Sequence, residues 1–257
     1  MKVRLILDKN YEPYWNMAFD FYFWKKNTDW KFFPVLRFYK WNPSSVSFGY
    51  NQRIERLINV EFCNKNNIPM VMRPTGGSAI FHDIEITYSF SSNIKHNKFF
   101  LSPYISYIKI AESIIKGLEK LGLKLKIRGV SDNKEPSFTD IPCFSLFSRH
   151  DIVFENKKIV GSAQRRNSFS FLQHGSILID IRKDLWENIF FKKVNFDGIG
   201  CLKELVGNFD EEELIKFLKN GFEEVLECEI FEDKLEIKEK KEIENIKGKL
   251  QKEGRYE

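Results

Sequence analysis

A cysteine followed at short distance by a lysine is the combination in this chain best suited to chemistry. Cys143 lies in the stretch Ile-Pro-Cys-Phe (141–144), and Lys158 follows in the run Lys-Lys-Ile-Val-Gly-Ser-Ala-Gln (157–164). A cysteine thiolate is a nucleophile and a good leaving group, so it can carry an acyl group as a thioester. A neighbouring ammonium lowers the pKa of a thiol from its ordinary value of about 8.5. The pair predicts acyl transfer through Cys143, with Lys158 activating the thiol and orienting the acyl carbonyl.

A glycine turn upstream offers a place to hold the acyl donor. It is the run Arg-Pro-Thr-Gly-Gly-Ser at residues 73–78. Gly76 and Gly77 let the backbone come close to a ligand and adopt positive φ. Amide groups exposed in such a turn can hold an anion or a carbonyl oxygen, and Arg73 adds positive charge. Paired glycines between strands are also typical of an ordinary hairpin turn, and the pattern alone leaves both interpretations open.

The remaining candidate side chains carry weaker signals. His82 precedes Asp83, but neighbours on a strand point to opposite faces, so we interpret His82 as structural or site-shaping rather than as a base. His174 is interpreted as a pocket residue or as a satisfied core histidine. Taken alone, Cys143 is more typical of a small buried hydrophobe than of a nucleophile, and Lys158 is also typical of an exposed hairpin lysine.

Composition limits the function classes. A chain of 257 residues, 42% hydrophobic and 30% charged, is typical of a globular protein with one large domain, with or without a small appendage. A net charge of +5 is too small to indicate nucleic-acid binding without a basic run, but it suits an acidic protein partner. No apolar run reaches the roughly 18 residues of a membrane span, and the first eight residues are typical of a strand rather than a signal peptide. The four widely spaced cysteines argue against zinc and for reduced thiols in the cytoplasm.

Helical and strand patterns alternate, which predicts an α/β fold with a mixed sheet. Helices are expected at residues 16–26, 60–66, about 103–121 and about 210–227. In the third, Tyr104, Ile108, Ala111, Ile115 and Leu118 form one apolar stripe, and Gly122 ends the helix. Strands are expected at 35–39, 45–48, 70–73, 151–155, 158–164 and 172–180, with 78–81 and 85–90 paired with each other. A hairpin at Asn156-Lys157 would fold Lys158 back towards Cys143. The Lys- and Glu-rich stretch from residue 235 predicts a solvated or partly frayed helix, and the last few dozen residues are expected to be peripheral.

Several motifs together resemble the lipoate/biotin protein ligase and acyltransferase superfamily, within it the branch of lipoate-protein ligase A and the LipM octanoyltransferases. They are RPTGGSAIFHD (73–83), EITYSF (85–90), KKIVGSAQRR (157–166) and QHGSILID (173–180). NMAFD (16–20), PVLRFYKWNPSSVSFGYNQ (34–52) and CLKELVG (201–207) extend the resemblance over about residues 14–207. It implies a catalytic domain at 1–207 with a mixed, largely antiparallel β-sheet core flanked by helices. Residues 208–257 would be a helical segment packed on that domain or trailing from it.

The resemblance implies an activity in lipoate biosynthesis. LipM-type octanoyltransferases take octanoate from acyl carrier protein through a cysteine thioester, without metal or ATP. They deliver it to a lysine of the glycine-cleavage H protein or of a lipoyl domain. Cys143 stands in their cysteine position, and Gly161-Ser162-Ala163-Gln164 resembles their turn, where the ligases have Tyr or Phe in place of Gln164. The implied catalytic residues are Cys143 and Lys158, and the implied substrate-binding residues are Arg73, Gly76, Gly77, Ser78, His82, Gly161, Ser162, Ala163 and His174.

Three alternatives remain from the sequence. The chain is similar enough to the ATP-dependent lipoate-protein ligases to share their reaction, although 208–257 is short for the accessory domain that many ligases carry. A relative that moves lipoyl or octanoyl groups between carrier proteins would also use a cysteine. A carrier-binding module without activity would keep the fold, but the presence of both Cys143 and Lys158 disfavours it. Ser78 departs from the family, which usually has a third glycine or an arginine there, and leaves that contact with the acyl group open.

Overall fold

A computed structural model of the protein describes residues 1–7, 11–129, 144, 148 and 150–256. The helices, numbered α1 to α7 along the chain, are Pro13–Lys26, Val60–Lys65, Pro103–Leu118, Lys183–Ile189, Leu202–Val206, Glu211–Leu226 and Ile237–Glu253. The strands, β1 to β11, are Lys2–Ile6, Val35–Tyr39, Ser45–Phe48, Met70–Met72, Ile80–His82, Glu85–Asn93, Lys126–Ile127, Ile152–Phe154, Lys157–Arg166, Ser170–Leu178 and Glu229–Asp233. Within these described ranges, no helix has both the length and the apolar character that crossing a membrane requires.

Eight strands form the main sheet, in the order β11-β1-β2-β6-β10-β9-β8-β7. Strand β1 runs parallel to both of its neighbours, and the other neighbouring pairs are antiparallel. The two strands at the centre of this sheet, β6 and β10, are buried at every position. The predicted fold, a mixed and largely antiparallel sheet flanked by helices, is therefore confirmed.

Alternation along β6 gives this sheet one apolar and one polar face, and both are buried. Ile86, Tyr88 and Phe90 pack into the core that includes residues of α3 and α6. Glu85 and Thr87 point to the opposite face, although they are only 1% and 3% exposed. Burying polar side chains costs free energy unless they find hydrogen-bond partners. A polar face inside the protein therefore indicates an internal site.

Helix α3 packs on α6 at a distance set by small residues. A Cβ atom on Gly221 would lie 2.2 Å from the carbonyl oxygen of Ser113, so the two backbones touch there. The predicted apolar stripe of α3 was partly wrong: Tyr104 is 60% exposed, whereas Ile114 is fully buried. The buried apolar stripe is instead Ile110, Ala111, Ile114 and Leu118, and Ser113 and Gly117 beside it allow the close approach of α6. The end of the helix was predicted correctly, since Gly122 follows a short 3₁₀ turn with a φ of 83°.

The small second sheet has the order β4-β3-β5. The predicted pairing of residues 78–81 with 85–90 was wrong, because β5 pairs with β3 whereas β6 pairs with β2 and β10. The chain crosses from one sheet to the other around Asp83, and sequence proximity does not reveal such a crossing. The glycine turn joins β4 to β5, which lie on either side of β3. It is therefore not a hairpin turn.

The C-terminal segment is better packed than its composition indicates. Strand β11 pairs with β1 at the edge of the main sheet, and α7 packs against α1. Ile243 and Leu250 are buried because they fall on one stripe of α7, although most of its residues are charged. Tyr256 stacks on Phe21 with ring centroids 4.5 Å apart, and its hydroxyl donates to the carbonyl of Met72. The predicted solvated helix is therefore present, but it is not frayed, because its apolar stripe is packed. The division at residue 207 stays a prediction.

Candidate active site

A cavity of about 490 Å³ lies between the glycine turn and the polar face of the main sheet. Its volume falls in the range of small-molecule sites. Every predicted site residue that the structure describes lines this cavity: Arg73, Gly76, Gly77, Ser78, His82, Lys158, Gly161, Ser162, Ala163 and His174. Segments that are distant in the sequence, at residues 73–82, 158–163 and 174, therefore line the same cavity. The roles assigned to the individual residues stay predictions.

Lys158 lies at the wall of the cavity as one half of a buried ion pair. Its Nζ is 3.0 Å from Oδ2 of Asp151, and each side chain is only 2% exposed. The backbone amide of Ser148 donates to the same carboxylate oxygen at 2.6 Å. Burial raises the pKa of Asp151, while Lys158 and this amide oppose the rise. The expectation of an exposed hairpin lysine does not fit, and Lys157, which pairs with Glu204 on the surface, is the lysine that matches it.

Cys143 lies outside the described residues, so no structural statement is made about it. Phe144, the next residue in the chain, is described and fully buried. Its ring centroid lies 5.0 Å from Nζ of Lys158, within the range of a cation–π contact. The ring also packs edge-on against Trp186, with centroids 6.0 Å apart. The residue that follows Cys143 therefore contacts the lysine that the sequence pairs with it.

A β-bulge in β9 brings Lys158 and Gly161 to the same side of the strand. Val153 of β8 is opposite Lys158, but its neighbour Ile152 is opposite Val160, so β9 contains one extra residue. Strict alternation along a strand would place Lys158 and Gly161 on opposite faces, and the bulge overrides it. A Cβ atom on Gly161 would lie 2.8 Å from Cε of Lys158. Glycine at this position leaves room for the lysine side chain.

Arg73 organises the glycine turn from within. Its guanidinium donates to the backbone carbonyls of Ser47, Gly76 and Ser78 at 2.9, 3.2 and 2.9 Å. Gly77 has a φ of 94°, the left-handed region that favours glycine. Gly49 is packed against the turn, because a Cβ there would lie 2.2 Å from the carbonyl oxygen of Gly77. The turn is thus a fixed loop at the cavity wall.

The two cavity histidines each contact a buried carboxylate. His82 Nδ1 is 2.8 Å from Oε1 of Glu85, and His174 Nδ1 is 2.8 Å from Oδ2 of Asp20. Asp83 is not the partner of His82, in agreement with the sequence argument, and its carboxylate pairs with Arg182 instead. Burial lowers the pKa of His82, although Glu85 opposes the shift. The ring of His82 therefore favours its neutral form.

Sequence reasoning missed the three carboxylates Asp20, Glu85 and Asp151. One signal was present for Asp20, since α1 is rich in aromatic residues and an acidic residue inside such a helix needs a buried partner. Glu85 occupies a position of β6 that alternates with apolar residues, which indicates a polar face only once both faces are known to be buried. Asp151 directly precedes β8 and carries no distinctive pattern.

The three cysteines that the structure describes are unlike a reactive thiol. Burial raises the pKa of Cys63 and of Cys228 to about 11, and it also raises that of Cys201. None of these three is among the residues that line the cavity. Across the described part of the chain, no three His, Cys, Asp or Glu residues are grouped so that they could hold a metal ion. The expectation of metal-free chemistry stays a prediction.

Comparison with known proteins connects this site to lipoate metabolism. The family model of the lipoyl protein ligase A/B catalytic domain matches residues 12–223. Octanoyltransferase LipM of Bacillus subtilis (strain 168) is 38% identical over 191 residues, which cover 73% of this chain and 69% of the relative. Octanoyltransferase LipM of Halalkalibacterium halodurans is 31% identical over 95% of this chain and 94% of its own length.

Solved structures of lipoate-protein ligases have the same fold. Lipoate-protein ligase A bound with ATP superposes with a TM-score of 0.82 at 23% identity, over 97% of this chain and 95% of that one. The bi-partite lipoate protein ligase of Thermoplasma acidophilum gives a TM-score of 0.78 at 22% identity, over 97% and 93%. At this identity the similarity concerns the fold alone.

Proposed function

Because this chain belongs to the family of the lipoyl protein ligase A/B catalytic domain, we propose a specific course for the octanoyl transfer that it catalyses in lipoate biosynthesis. Octanoate is taken from octanoyl-acyl carrier protein onto Cys143 as a thioester. It is then passed to a lysine of a lipoyl carrier protein, either the glycine-cleavage H protein or a lipoyl domain. Cys143 is the nucleophile and Lys158 is the cation that activates it.

The observation that carries this proposal is the buried ammonium of Lys158. Asp151 holds it at 3.0 Å, so the positive charge is kept in a site with little access to water. A fixed cation favours the thiolate over the thiol when a cysteine comes near it. Phe144 contacts this ammonium and is joined to Cys143 by a peptide bond. Lys158 lines the cavity, whereas Cys63, Cys201 and Cys228 are not among its lining residues.

The two proposed steps balance without ATP or an oxidant. The Cys143 thiolate attacks the octanoyl carbonyl, a carbon–sulfur bond forms to the enzyme, and the bond to the carrier sulfur breaks. The departing carrier thiolate takes up one proton. The neutral amine of the acceptor lysine then attacks the enzyme thioester, forms the amide and loses one proton, and the Cys143 thiolate is restored. The Lys158 ammonium and the proposed amide donors of Gly161 and Ser162 would stabilise the negative charge on the carbonyl oxygen.

The cavity suits a medium-length acyl chain. Met17, Trp41 and Ile80 contribute apolar wall beside the polar groups of the glycine turn. Transfer of each methylene group from water to such a wall contributes about 0.8 kcal/mol. The turn and the β9 strand at Gly161 would then hold the carbonyl end near Lys158, while the chain occupies the apolar part.

The proposed partners are acidic carrier proteins, which a chain with a net charge of +5 would attract. We place the reaction in the cytoplasm, where cysteines remain reduced. We also propose residues 1–207 as the catalytic domain, although the family match continues to residue 223 and so includes most of α6.

Intact-mass measurement after incubation with octanoyl-acyl carrier protein, without ATP, tests this course directly. We expect a single octanoyl adduct on the wild type and none on Cys143→Ala. Cys228→Ala is the matched control, because it removes a half-buried thiol that does not line the cavity, and it should keep the adduct. Addition of a lipoyl carrier protein should then discharge the adduct.

Two results would contradict the proposal. One is ATP-dependent transfer of free lipoate that survives Cys143→Ala, which would assign the chain to the ligase reaction. The other is an adduct that persists in Cys143→Ala, which would move the thioester to another residue.

A further inference from the structure

Two chains of hydrogen bonds lead from buried carboxylates to the glycine turn. In the Asp20 relay, Asp20 contacts His174, and His174 Nε2 lies 2.7 Å from the hydroxyl of Thr75. In the Glu85 relay, Glu85 contacts His82, whose Nε2 lies 2.5 Å from the hydroxyl of Ser47. The Ser47 hydroxyl in turn accepts from Nη1 of Arg73 at 2.8 Å. One relay thus ends inside the turn, and the other ends on the arginine that holds it.

The carboxylate of Asp20 fixes the direction of the first relay. A carboxylate only accepts hydrogen bonds, so Nδ1 of His174 must carry the proton that faces Asp20. In a neutral imidazole the other nitrogen is then an acceptor, and the Thr75 hydroxyl donates to it. Tyr39 donates to the same Asp20 oxygen at 3.1 Å, and burial raises the pKa of Tyr39, which keeps it a donor.

The second relay has the same direction for the same reason. The carboxylate of Glu85 only accepts, so Nδ1 of His82 carries the proton that faces it. In the neutral ring Nε2 then accepts from the Ser47 hydroxyl, whose oxygen also accepts from Nη1 of Arg73. Hydroxyls of Thr87 and Ser176 donate to the same Glu85 oxygen at 2.5 and 2.8 Å.

Both relays lie in the interior. The side chains of Asp20 and Glu85 are fully buried, and those of the two histidines are no more than 5% exposed. The ring of Trp41 stacks on His82 with centroids 3.9 Å apart and excludes water from its face. The two carboxylates themselves have no exposed surface, so a change at either one is passed to its histidine and through the histidine to the turn.

We propose that Asp20 and Glu85 are positioning residues of the octanoyl transfer: each fixes the tautomer of one histidine, and the histidines hold the glycine turn against the bound acyl donor. The inference rests on the proposed function, since it assumes that the turn binds the donor. Asp20 acts through the hydroxyl of Thr75, next to Gly76. Glu85 acts through Ser47 and the guanidinium of Arg73. Neither carboxylate needs to touch the substrate.

Asp20→Asn is the sharpest test, because the amide has the shape of the carboxylate but can donate. With an amide N–H facing Nδ1, His174 is free to move its proton to Nε2, and the Thr75 hydroxyl loses its acceptor. The same substitution in a serine protease triad keeps the geometry and gives the wrong tautomer. Nitrogen-15 NMR of the histidine side chains should show this change at His174.

The donor concentration that half-saturates acyl-enzyme formation should rise about tenfold in Asp20→Asn, which corresponds to one hydrogen bond of ordinary strength. Asp29→Asn removes an exposed carboxylate just beyond the same helix, and it should leave this concentration unchanged. Thr75→Val should behave like Asp20→Asn, whereas Thr75→Ser keeps the hydroxyl and should restore wild-type behaviour. Glu85→Gln should change the His82 tautomer in the same way.

If Asp20→Asn does not fold, the comparison of Thr75→Val with Thr75→Ser still tests the proposal. Equal half-saturating concentrations in Thr75→Val and Thr75→Ser would overturn the proposal, as would an Asp20→Asn variant with the wild-type tautomer and wild-type saturation. Absence of any acyl enzyme in the wild type would instead refute the proposed function. In that case the nitrogen-15 spectra of wild type and Asp20→Asn still decide whether Asp20 sets the tautomer.

Discussion

Replacing Lys158 by methionine should destabilise the folded protein and abolish acyl-enzyme formation. Methionine has a similar length but no charge, so the substitution leaves the Asp151 carboxylate buried without its cation. At the observed separation of 3.0 Å, the attraction between the two charges is about 5.5 kcal/mol for an effective dielectric constant of about 20. Removing one partner of a buried pair typically costs about 3–5 kcal/mol. This is less than the stability of most domains, so the variant should still fold.

The loss of folding stability in Lys158→Met should depend on pH in a defined direction. Burial already raises the pKa of Asp151, and the positive charge of Lys158 opposes that rise. Without Lys158 the pKa of the buried carboxyl rises further above its unfolded value of about 3.9. A carboxyl with a raised pKa in the folded state loses stability as the pH rises through that pKa. The difference in free energy of unfolding between the wild type and Lys158→Met should therefore be largest at neutral pH and shrink towards pH 4.

Urea unfolding at a pH of about 7.5 and about 5 measures both effects. Lys157→Met is the matched control, since Lys157 forms an exposed pair with Glu204 and its loss should cost less than about 1 kcal/mol. Adding Asp151→Asn to Lys158→Met should recover much of the lost stability, because the buried charge is removed. A Lys158→Met variant as stable as Lys157→Met, or one whose deficit is the same at both pH values, would refute the reasoning.

Three further outcomes are expected. Gly161→Ala should slow acyl-enzyme formation at least tenfold by intact mass, because the new Cβ would displace Lys158; an unchanged rate would show that the lysine can shift without consequence. Phe222→Ala should lower the free energy of unfolding by about 3–5 kcal/mol in urea titrations, because its ring is fully buried against Phe38, Tyr88 and Phe90 of the main sheet. Iodoacetamide near neutral pH should label Cys143 well before Cys228, whose thiol has a pKa of about 11; peptide mapping with equal labelling would contradict a depressed pKa at Cys143.

Local patterns predicted the elements that carry the site. The β8–β9 hairpin follows from its turn residues, and the end of α3 follows from Gly122, so each depends only on residues next to it in the chain. The glycine turn and the run from Lys157 to Gln164 were identified from residue type and order. Their resemblance to a known family then predicted that they would meet around one site.

Long-range pairing was not predictable in the same way. The assignment of β5 and β6 to different sheets depends on which strands lie beside them, and nothing in the two segments encodes the separation. The burial of α7 likewise depends on α1 being available as a partner surface. Sparse apolar residues in a charged helix indicate a solvated helix until that surface is known.

The sequence by itself identified the candidate reacting groups, because residue type decides which side chains can act as nucleophiles or cations and which turns allow close approach. Only the tertiary structure decided their partners. It placed Asp151 against Lys158, Asp20 against His174 and Glu85 against His82, and the register shift in β9 brought Lys158 over Gly161. The physical reason is that charge state, tautomer and orientation depend on contacts within a few ångströms. Segments far apart in the chain supply those contacts only after it has folded.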